Sequence, residues 1–375
     1  MKLVIQIPCF NEEEQLPVTL STIPKHIEGI DSIELLIIDD GSTDRTVEVA
    51  RQWAIANNFP LQIAHHTRNR GLAVAFQTGL NTALAMGADI IVNTDADNQY
   101  PSESIPDLIR PIQLKQLDLV IADRQTQSIE HFSPLKKFLQ KVGSYTVSIF
   151  SGSKVTDAVS GFRAMSRETA LTLNVITNYT YTVETIFQAS KRNLAIGSIP
   201  IFTNPKTRDS RLVKSVWGYV KRMGATMVRI YAMHEPLKAF FYFSIPFFLV
   251  GGFYIFRFLI LSIIERNIGA RFIQSVILGG VSVMLGVVLI MIGLLADLIS
   301  RNRRLIEDSL FRVKRIELDM IKQREREEDL LAEIKALRTD LKVEPSSPNS
   351  LKSGSHHHLT QVEEIIIEDV VPGKS

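Results

Sequence analysis

The sequence predicts an α/β domain joined to a two-helix transmembrane hairpin and a helical tail, and three observations carry that expectation. From residue 3 to about residue 201, short β-rich apolar runs alternate with longer stretches whose apolar residues recur at helical spacing. Two long apolar segments follow, 239–264 and 272–299, each exceeding the ~20 residues needed to cross hydrocarbon. Beyond them, 302–341 is densely charged with apolar residues at helical intervals. At 375 residues the chain is also too long for one ordinary core.

Strands are expected over 3–7, 33–38, 61–64, 90–94, 117–122 and 195–201, with helices such as 44–57 and 71–86 between them. Helical connections make the sheet largely parallel, with ligands outside the carboxyl ends of its strands. Pro8-Cys9-Phe10-Asn11-Glu12-Glu13 follows the first strand and holds no glycine-rich turn, so a dinucleotide fingerprint is absent, as is a Walker loop. Cys9 is the single cysteine, which excludes an intramolecular disulfide, suits a reducing compartment and reads as a packing residue. The short apolar run before Pro8, followed by three acids, does not fit a secretory signal peptide.

The segment 213–232 spaces apolar residues helically among Lys214, Lys221, Arg222 and Arg229. It reads as an amphipathic helix on a membrane surface, or as a domain helix with a solvated basic face. The link 265–271 is short enough for a hairpin. Lys221, Arg222, Arg229 and Lys238 precede the first span and Arg301, Arg303 and Arg304 follow the second, against Arg266 and Arg271 between them. Both termini and the α/β domain are therefore expected on the cytoplasmic side of a two-span protein. Ser275 and Gly279, and then Ser282 and Gly286, permit close helix contacts within the hairpin or in a homo-oligomer.

In the tail, Ile306, Leu310 and Val313, then Leu330, Ile334, Leu337 and Leu341, suit a helical or coiled-coil segment broken by the polar run 322–329. Pro, Ser and Gly after residue 342 predict disorder. The layout is thus a catalytic domain over 1–211, a juxtamembrane helix over 212–235, two spans within 236–300, a helical tail over 301–342 and a disordered tail over 343–375. A net charge of +2, with no basic stripe interleaved with aromatics, sets nucleic acid aside.

Two acidic clusters carry the chemistry. The second strand ends in Asp39-Asp40-Gly41-Ser42-Thr43-Asp44. Helix capping explains one or two of these residues but not the two consecutive acids, Asp39 and Asp40, which can accept hydrogen bonds from a base imide or a ribose. The fourth strand ends in Asn93-Thr94-Asp95-Ala96-Asp97-Asn98-Gln99. In an extended segment Asp95 and Asp97 would point the same way and offer a hard divalent cation a site, where it would bridge a diphosphate.

With these in place, IPCFNEEE, IIDDGSTD, NTDADNQYP, DAVSGFR and KTRDSRLVKS together resemble family 2 glycosyltransferases of the GT-A (Rossmann-like) fold, with the dolichyl-phosphate mannose synthases and bacterial polyprenyl-phosphate glycosyltransferases most similar. The resemblance covers residue 3 to about 215 and the hairpin, not the tail beyond about 318. It implies that Pro8, Phe10 and Glu12 line a nucleotide pocket, Phe10 standing where relatives often have tyrosine. It implies that Asp39 contacts base or ribose, that Asp95, Asp97 and Gln99 hold the donor diphosphate through Mg2+ or Mn2+, and that Arg208 and Arg211 neutralise phosphates. Arg163, with Arg124, would grip a polyprenyl phosphate, or Arg163 is a buried structural arginine. Asp157 would orient acceptor or sugar, and Glu184 would contact sugar hydroxyls or cap its helix.

The implied reaction is an inverting single displacement. A phosphate acceptor is already anionic at pH 7 and needs no general base. Two other readings compete with it: an inert membrane scaffold, and a processive polysaccharide synthase, for which two spans are few and no Gln-x-x-Arg-Trp is found.

Overall fold

The structure, a computed structural model, describes residues 1–125, 143–145, 147–148, 152, 155–175, 181–205, 224–225, 235–264, 273–340 and 362–367. Its apolar runs form strands β1 Lys2–Cys9, β2 Ser32–Asp39, β3 Leu61–His66, β4 Ile90–Asn93, β5 Leu119–Asp123, β6 Arg163–Ser166, β7 Ile196–Pro200 and β8 Val362–Ile367, in one sheet of order β7-β5-β6-β4-β1-β2-β3-β8. In β2, Leu35, Leu36, Ile37 and Ile38 are all fully buried. A strand covered on both faces needs such a continuous apolar run, and each of these side chains contributes roughly 1.5–3 kcal/mol by leaving water.

The covering helices are α1 Leu16–Ser21, α2 Thr46–Asn57, α3 Leu72–Ala85, α4 Ile105–Gln113, α5 Arg167–Thr172 and α6 Thr182–Lys191. Asn58 ends α2 in the left-handed conformation, φ 48°, with its N–H closing on Ala54 and Ile55 carbonyls. Asparagine tolerates that φ better than most residues.

Strands β1, β2, β3 and β4 are mutually parallel, and β5 is parallel to β7. The expected largely parallel sheet is interrupted by β6, which runs antiparallel between β4 and β5 and which the sequence pattern does not predict. Four residues, opening on an arginine, make too short and too polar a run to read as a strand. Its direction matters for function. Arg163 opposes Asn93 at the carboxyl end of β4, so the loop entering β6 arrives at the edge where β1, β2, β4 and β5 finish.

The chain divides into two units, 1–212 with 311–375, and 213–310. The second holds α7 Pro236–Ile264 and the first part of α8 Ile273–Asp340, both long and apolar enough to cross a membrane. They approach through glycines. A Cβ on Gly251 would lie 2.9 Å from the Gly279 carbonyl oxygen, and one on Gly286 would lie 2.9 Å from the Phe248 ring.

Two features depart from the expected tail. Helix α8 continues without a break through 322–329, because Lys, Gln, Arg, Glu and Asp interrupt the apolar stripe without removing a backbone hydrogen bond. Within the stretch whose composition predicts disorder, Val362–Ile367 pairs in parallel with β3. The expected juxtamembrane helix and the hairpin link lie outside the described residues, apart from 224–225 and 235.

Candidate functional site

The loops leaving β1 and β2 are laced together. Asn11, at φ 55°, accepts from the Thr43 N–H at 2.8 Å through Oδ1, while its own N–H donates to Ser42 Oγ at 2.9 Å. The Glu12 N–H donates to Thr46 Oγ1 at 2.8 Å, and the Glu13 N–H donates to Asp44 Oδ2 at 3.1 Å. Burial alone would raise the Asp44 carboxyl, but the bonds from Thr46 and from the Glu13 N–H outweigh it and hold it below its ordinary value. Polar residues that composition marks only as turn formers thus tie the loops at the carboxyl ends of β1 and β2 to each other.

Asp39 and Asp40 have different partners although they are neighbours. Asp39 is fully buried. Its Oδ1 accepts from the Ser42 N–H at 3.1 Å, and its Oδ2 lies 2.6 Å from Nδ1 of His65, which remains one-third exposed. Asp40 accepts the backbone N–H groups of Arg70 and Gly71, each at 2.8 Å, and pairs with buried His66 at 2.8 Å. His66 in turn reaches Thr78 Oγ1 at 3.0 Å. The expectation that Asp40 meets a substrate is corrected: its carboxylate holds the segment between β3 and α3. Gly41 serves the same junction. It sits at φ 73°, and a Cβ there would come within 2.6 Å of the Arg68 carbonyl carbon.

At the end of β4 the chain turns at once, so Asp95 and Asp97 are not on an extended segment, and the alternation that would align them does not apply. The Gln99 N–H donates to Asp97 Oδ1 at 3.2 Å, and Asn98 adopts φ 54°. A turn still brings the two acids together. Burial first, and then the charge of Asp97, push the Asp95 carboxyl up to about 7, with Arg124 opposing and Glu12 adding to the rise. Asn204 clasps this turn, its N–H donating to the Gln99 carbonyl at 3.0 Å and its Nδ2 to the Asn98 carbonyl at 2.9 Å.

Beneath Asp95 runs a buried polar chain. Gln6 Nε2 donates to Asn93 Oδ1 at 2.8 Å, and Asn93 Nδ2 donates to the Gly161 carbonyl at 2.8 Å and to Tyr181 Oη at 3.0 Å. Tyr181 stacks on Phe76 at 3.9 Å, and the Gly161 N–H donates to Tyr100 Oη at 3.0 Å. Gly161 leaves a side chain little room: a Cβ would stand 3.0 Å from Tyr181 Oη and 3.1 Å from Asp95 Oδ1, so a neighbour would have to shift by a few tenths of an ångström.

The loop before β6 completes the site. Arg124, at the end of β5, forks onto Asp157 with Nε to Oδ2 at 2.7 Å and Nη2 to Oδ1 at 3.0 Å. Asp157 is 1% exposed. Arg163 is fully buried and donates to the carbonyls of Ser160 at 2.8 Å, Thr182 at 2.7 Å and Ala158 at 2.9 Å, and to Thr185 Oγ1 at 2.5 Å. Burial lowers its pKa to about 10, so it stays charged at neutral pH. The expectation that Arg163 grips a phosphate gives way to the structural alternative, since the guanidinium knots the 157–161 loop to the start of α6. Glu184 is also buried and accepts from Gln188 Nε2 at 3.1 Å.

Of the other expected residues, Pro8 is buried in β1, Phe10 is exposed at its end and Glu12 is half-buried. Arg208 and Arg211 lie outside the described residues. Burial first, then the surrounding acids beginning with Glu12, hold the Cys9 thiol well above its usual value, so it packs and does not react. Sequence reasoning missed Gln6, Asn93, Tyr100, Tyr181, His65 and His66. The first two sit inside apolar strand runs, and a polar residue at such a position was the available signal.

The sequence profile described as glycosyl transferase family 2 matches residues 4–172. The UDP-N-acetylglucosamine–dolichyl-phosphate N-acetylglucosaminyltransferase of Methanococcus voltae is 31% identical over 213 residues, 52% of this chain and 83% of that protein. The undecaprenyl-phosphate mannosyltransferase of Micrococcus luteus is 28% identical over 225 residues, 58% of this chain and 90% of that protein. Among solved structures, glucosyl-3-phosphoglycerate synthase from Mycobacterium tuberculosis, in complex with Mn2+, uridine diphosphate and glucosyl-3-phosphoglycerate, aligns with a TM-score of 0.46 at 21% identity, over 62% of this chain and 80% of that one.

Proposed function

The chain belongs to glycosyl transferase family 2, and from that premise we propose that it moves a hexose from a UDP- or GDP-linked donor to a polyprenyl phosphate at the cytoplasmic face of a membrane, with inversion. One observation carries the reading. Asp95 and Asp97 crowd together at the carboxyl edge of the sheet, beside Arg124 locked on Asp157, so acidic and basic groups meet in one place. The named activities of the two relatives support the acceptor class.

The residues present fit a divalent cation. Among the described residues no three His, Cys, Asp or Glu side chains converge as a closed cage. Two half-buried carboxylates, one of them raised first by burial and then by the charge of the other, are instead the donor set expected of Mg2+ or Mn2+ shared with a diphosphate. When bound, the ion neutralises charge on the departing nucleoside diphosphate.

The protein's own groups do the remaining work. Asp39, buried and held by Ser42 and His65, presents a fixed acceptor to base or ribose, and Phe10 offers an aromatic surface next to it. Asp157 holds Arg124 by two bonds and so aims its charge, rather than acting as a base. A phosphate oxygen of the acceptor attacks the anomeric carbon and forms the new bond. The bond from that carbon to the donor diphosphate breaks, and its electron pair leaves with the nucleotide. No proton need be removed, because the acceptor arrives ionised. Alignment and charge stabilisation supply the acceleration.

The test is transfer of radiolabelled sugar from a panel of nucleotide sugars to polyprenyl phosphate, with Mg2+ or Mn2+, by wild type and by Asp97→Ala. Labelled lipid with the wild type and a loss of roughly 100-fold or more with the variant is expected. Equal transfer by both would remove Asp97 from the reaction, and no labelled lipid with any donor would end the proposal.

A further inference from the structure

We propose that the part of α8 beyond the apolar span, 306–334, forms a parallel coiled coil with a second copy of this chain. Read in heptads with Ile306 at a, the a positions include Val313, Met320 and Ile334, and the d positions include Ile316 and Leu330. These six side chains are between 52% and 69% exposed, an unusual state for a stripe of large aliphatic residues on a helix of 68 residues.

The opposite side of the same stretch is already occupied. Phe311, Lys314, Leu318 and Ile321 are half-buried, and Lys314 Nζ donates to Asn81 Oδ1 at 3.2 Å. At 3.6 residues per turn these positions lie roughly 150° round the helix from Val313, Ile316 and Met320. From residue 311 on, the helix therefore packs by one face within the first unit and leaves the heptad seam open.

Charge complementarity selects the occupant. In a parallel pair, each g position meets the e position five residues later on the other helix. Arg312 at g would meet Glu317 at e of the second copy, and Asp319 would meet Arg324. Leu305 would meet Leu310, and Arg326 would meet Leu331, so no like charges oppose one another across the g and e positions from 305 to 331, and Glu327 at a is the one seam carboxylate that faces its own copy. A second copy supplies each complement by symmetry, twice over. The polar seam residues Ser309, Gln323 and Glu327 lower stability but penalise shifted registers. The parallel direction rests on the membrane reading above, since every copy of α8 then leaves the bilayer the same way.

The experiment uses the full chain in membranes. Its only cysteine, Cys9, is buried, so the wild type is a suitable background. Val313→Cys and Ile316→Cys, at seam positions, should convert most of the protein to a disulfide-linked dimer under mild oxidation. Arg315→Cys, an exposed neighbour facing away from the seam, should do so several-fold less. Glu317→Arg should reduce the yield of Ile316→Cys, and adding Arg312→Glu should restore it. No cross-link at 316, or equal yields at 313, 315 and 316, would overturn the interface, and failure of the paired reversal to restore the yield would overturn the register. Alkaline extraction of the same membranes separates the two readings: protein released by alkali disproves the spans, whereas embedded protein that does not cross-link disproves the coiled coil alone.

Discussion

Replacing Arg163 distinguishes a structural arginine from a phosphate-binding one. Arg163→Met removes four hydrogen bonds at once and leaves the carbonyls of Ala158, Ser160 and Thr182 buried without that donor. Methionine fills much of the volume, so the cost is polar. Each buried carbonyl left unsatisfied costs about 1–3 kcal/mol, and breaking a buried charged network about 3–5 kcal/mol, so a loss of about 4 kcal/mol is a fair central value. At about 2–4 °C per kcal/mol for a domain of this size, the melting temperature should fall by roughly 8–16 °C. Arg163→Lys should fall nearly as far, because one ammonium cannot reach carbonyls spread over two elements. The assay is thermal unfolding followed by the near-ultraviolet signal of the aromatic cluster, alongside transfer kinetics below the transition. A lysine variant that melts with the wild type but needs far more acceptor for half-maximal rate would refute the reasoning, since only a contact with acceptor phosphate would produce that pattern.

Other perturbations report on neighbouring parts of the site. Gly161→Ala places a methyl 3.1 Å from Asp95 Oδ1 and 3.0 Å from Tyr181 Oη; Tyr181 is fixed by its stacking on Phe76, so the carboxylate should yield, with a drop of roughly tenfold in transfer rate measured at saturating donor. Gly41→Ala meets both a left-handed φ of 73° and backbone at 2.6 Å, so urea unfolding should show a loss of about 2 kcal/mol or more. The Asp44 carboxyl is held below its unfolded value, so its contribution is present above the ordinary carboxylate pKa and is lost as pH falls through the lowered one. Thr46→Val removes the side-chain bond, and melting curves taken through the acid range should therefore show a shallower loss for the variant than for the wild type.

Period and punctuation made much of the fold legible. Continuous apolar runs such as Leu35–Ile38 betrayed strands buried on both faces, and two long apolar stretches betrayed the helices of the second unit. The strand β6 escaped because four residues opening on arginine carry no period. The acids at the ends of β2 and β4 were legible as a candidate site because two consecutive acids at a strand's carboxyl end exceed what helix capping needs. Their division of labour was not legible, and Asp39 and Asp40 show why: a one-residue step turns a side chain toward different surroundings, and only the folded chain reveals that Arg70 and Gly71 arrive to claim the second.

The amino-acid order alone determined the residue types available at the sheet edge, the apolar spans and the heptad pattern of the tail, because each depends on neighbours close along the chain. Tertiary structure alone decided which polar groups remained open to a ligand. Hydrogen-bond capacity is finite and is claimed by groups distant in sequence: Arg124 by Asp157, 33 residues on, Asn93 by Gly161, 68 residues on, and Arg163 by Thr182, 19 residues on. Residue type sets what a side chain can bind, and the packing around it sets what is left over for chemistry.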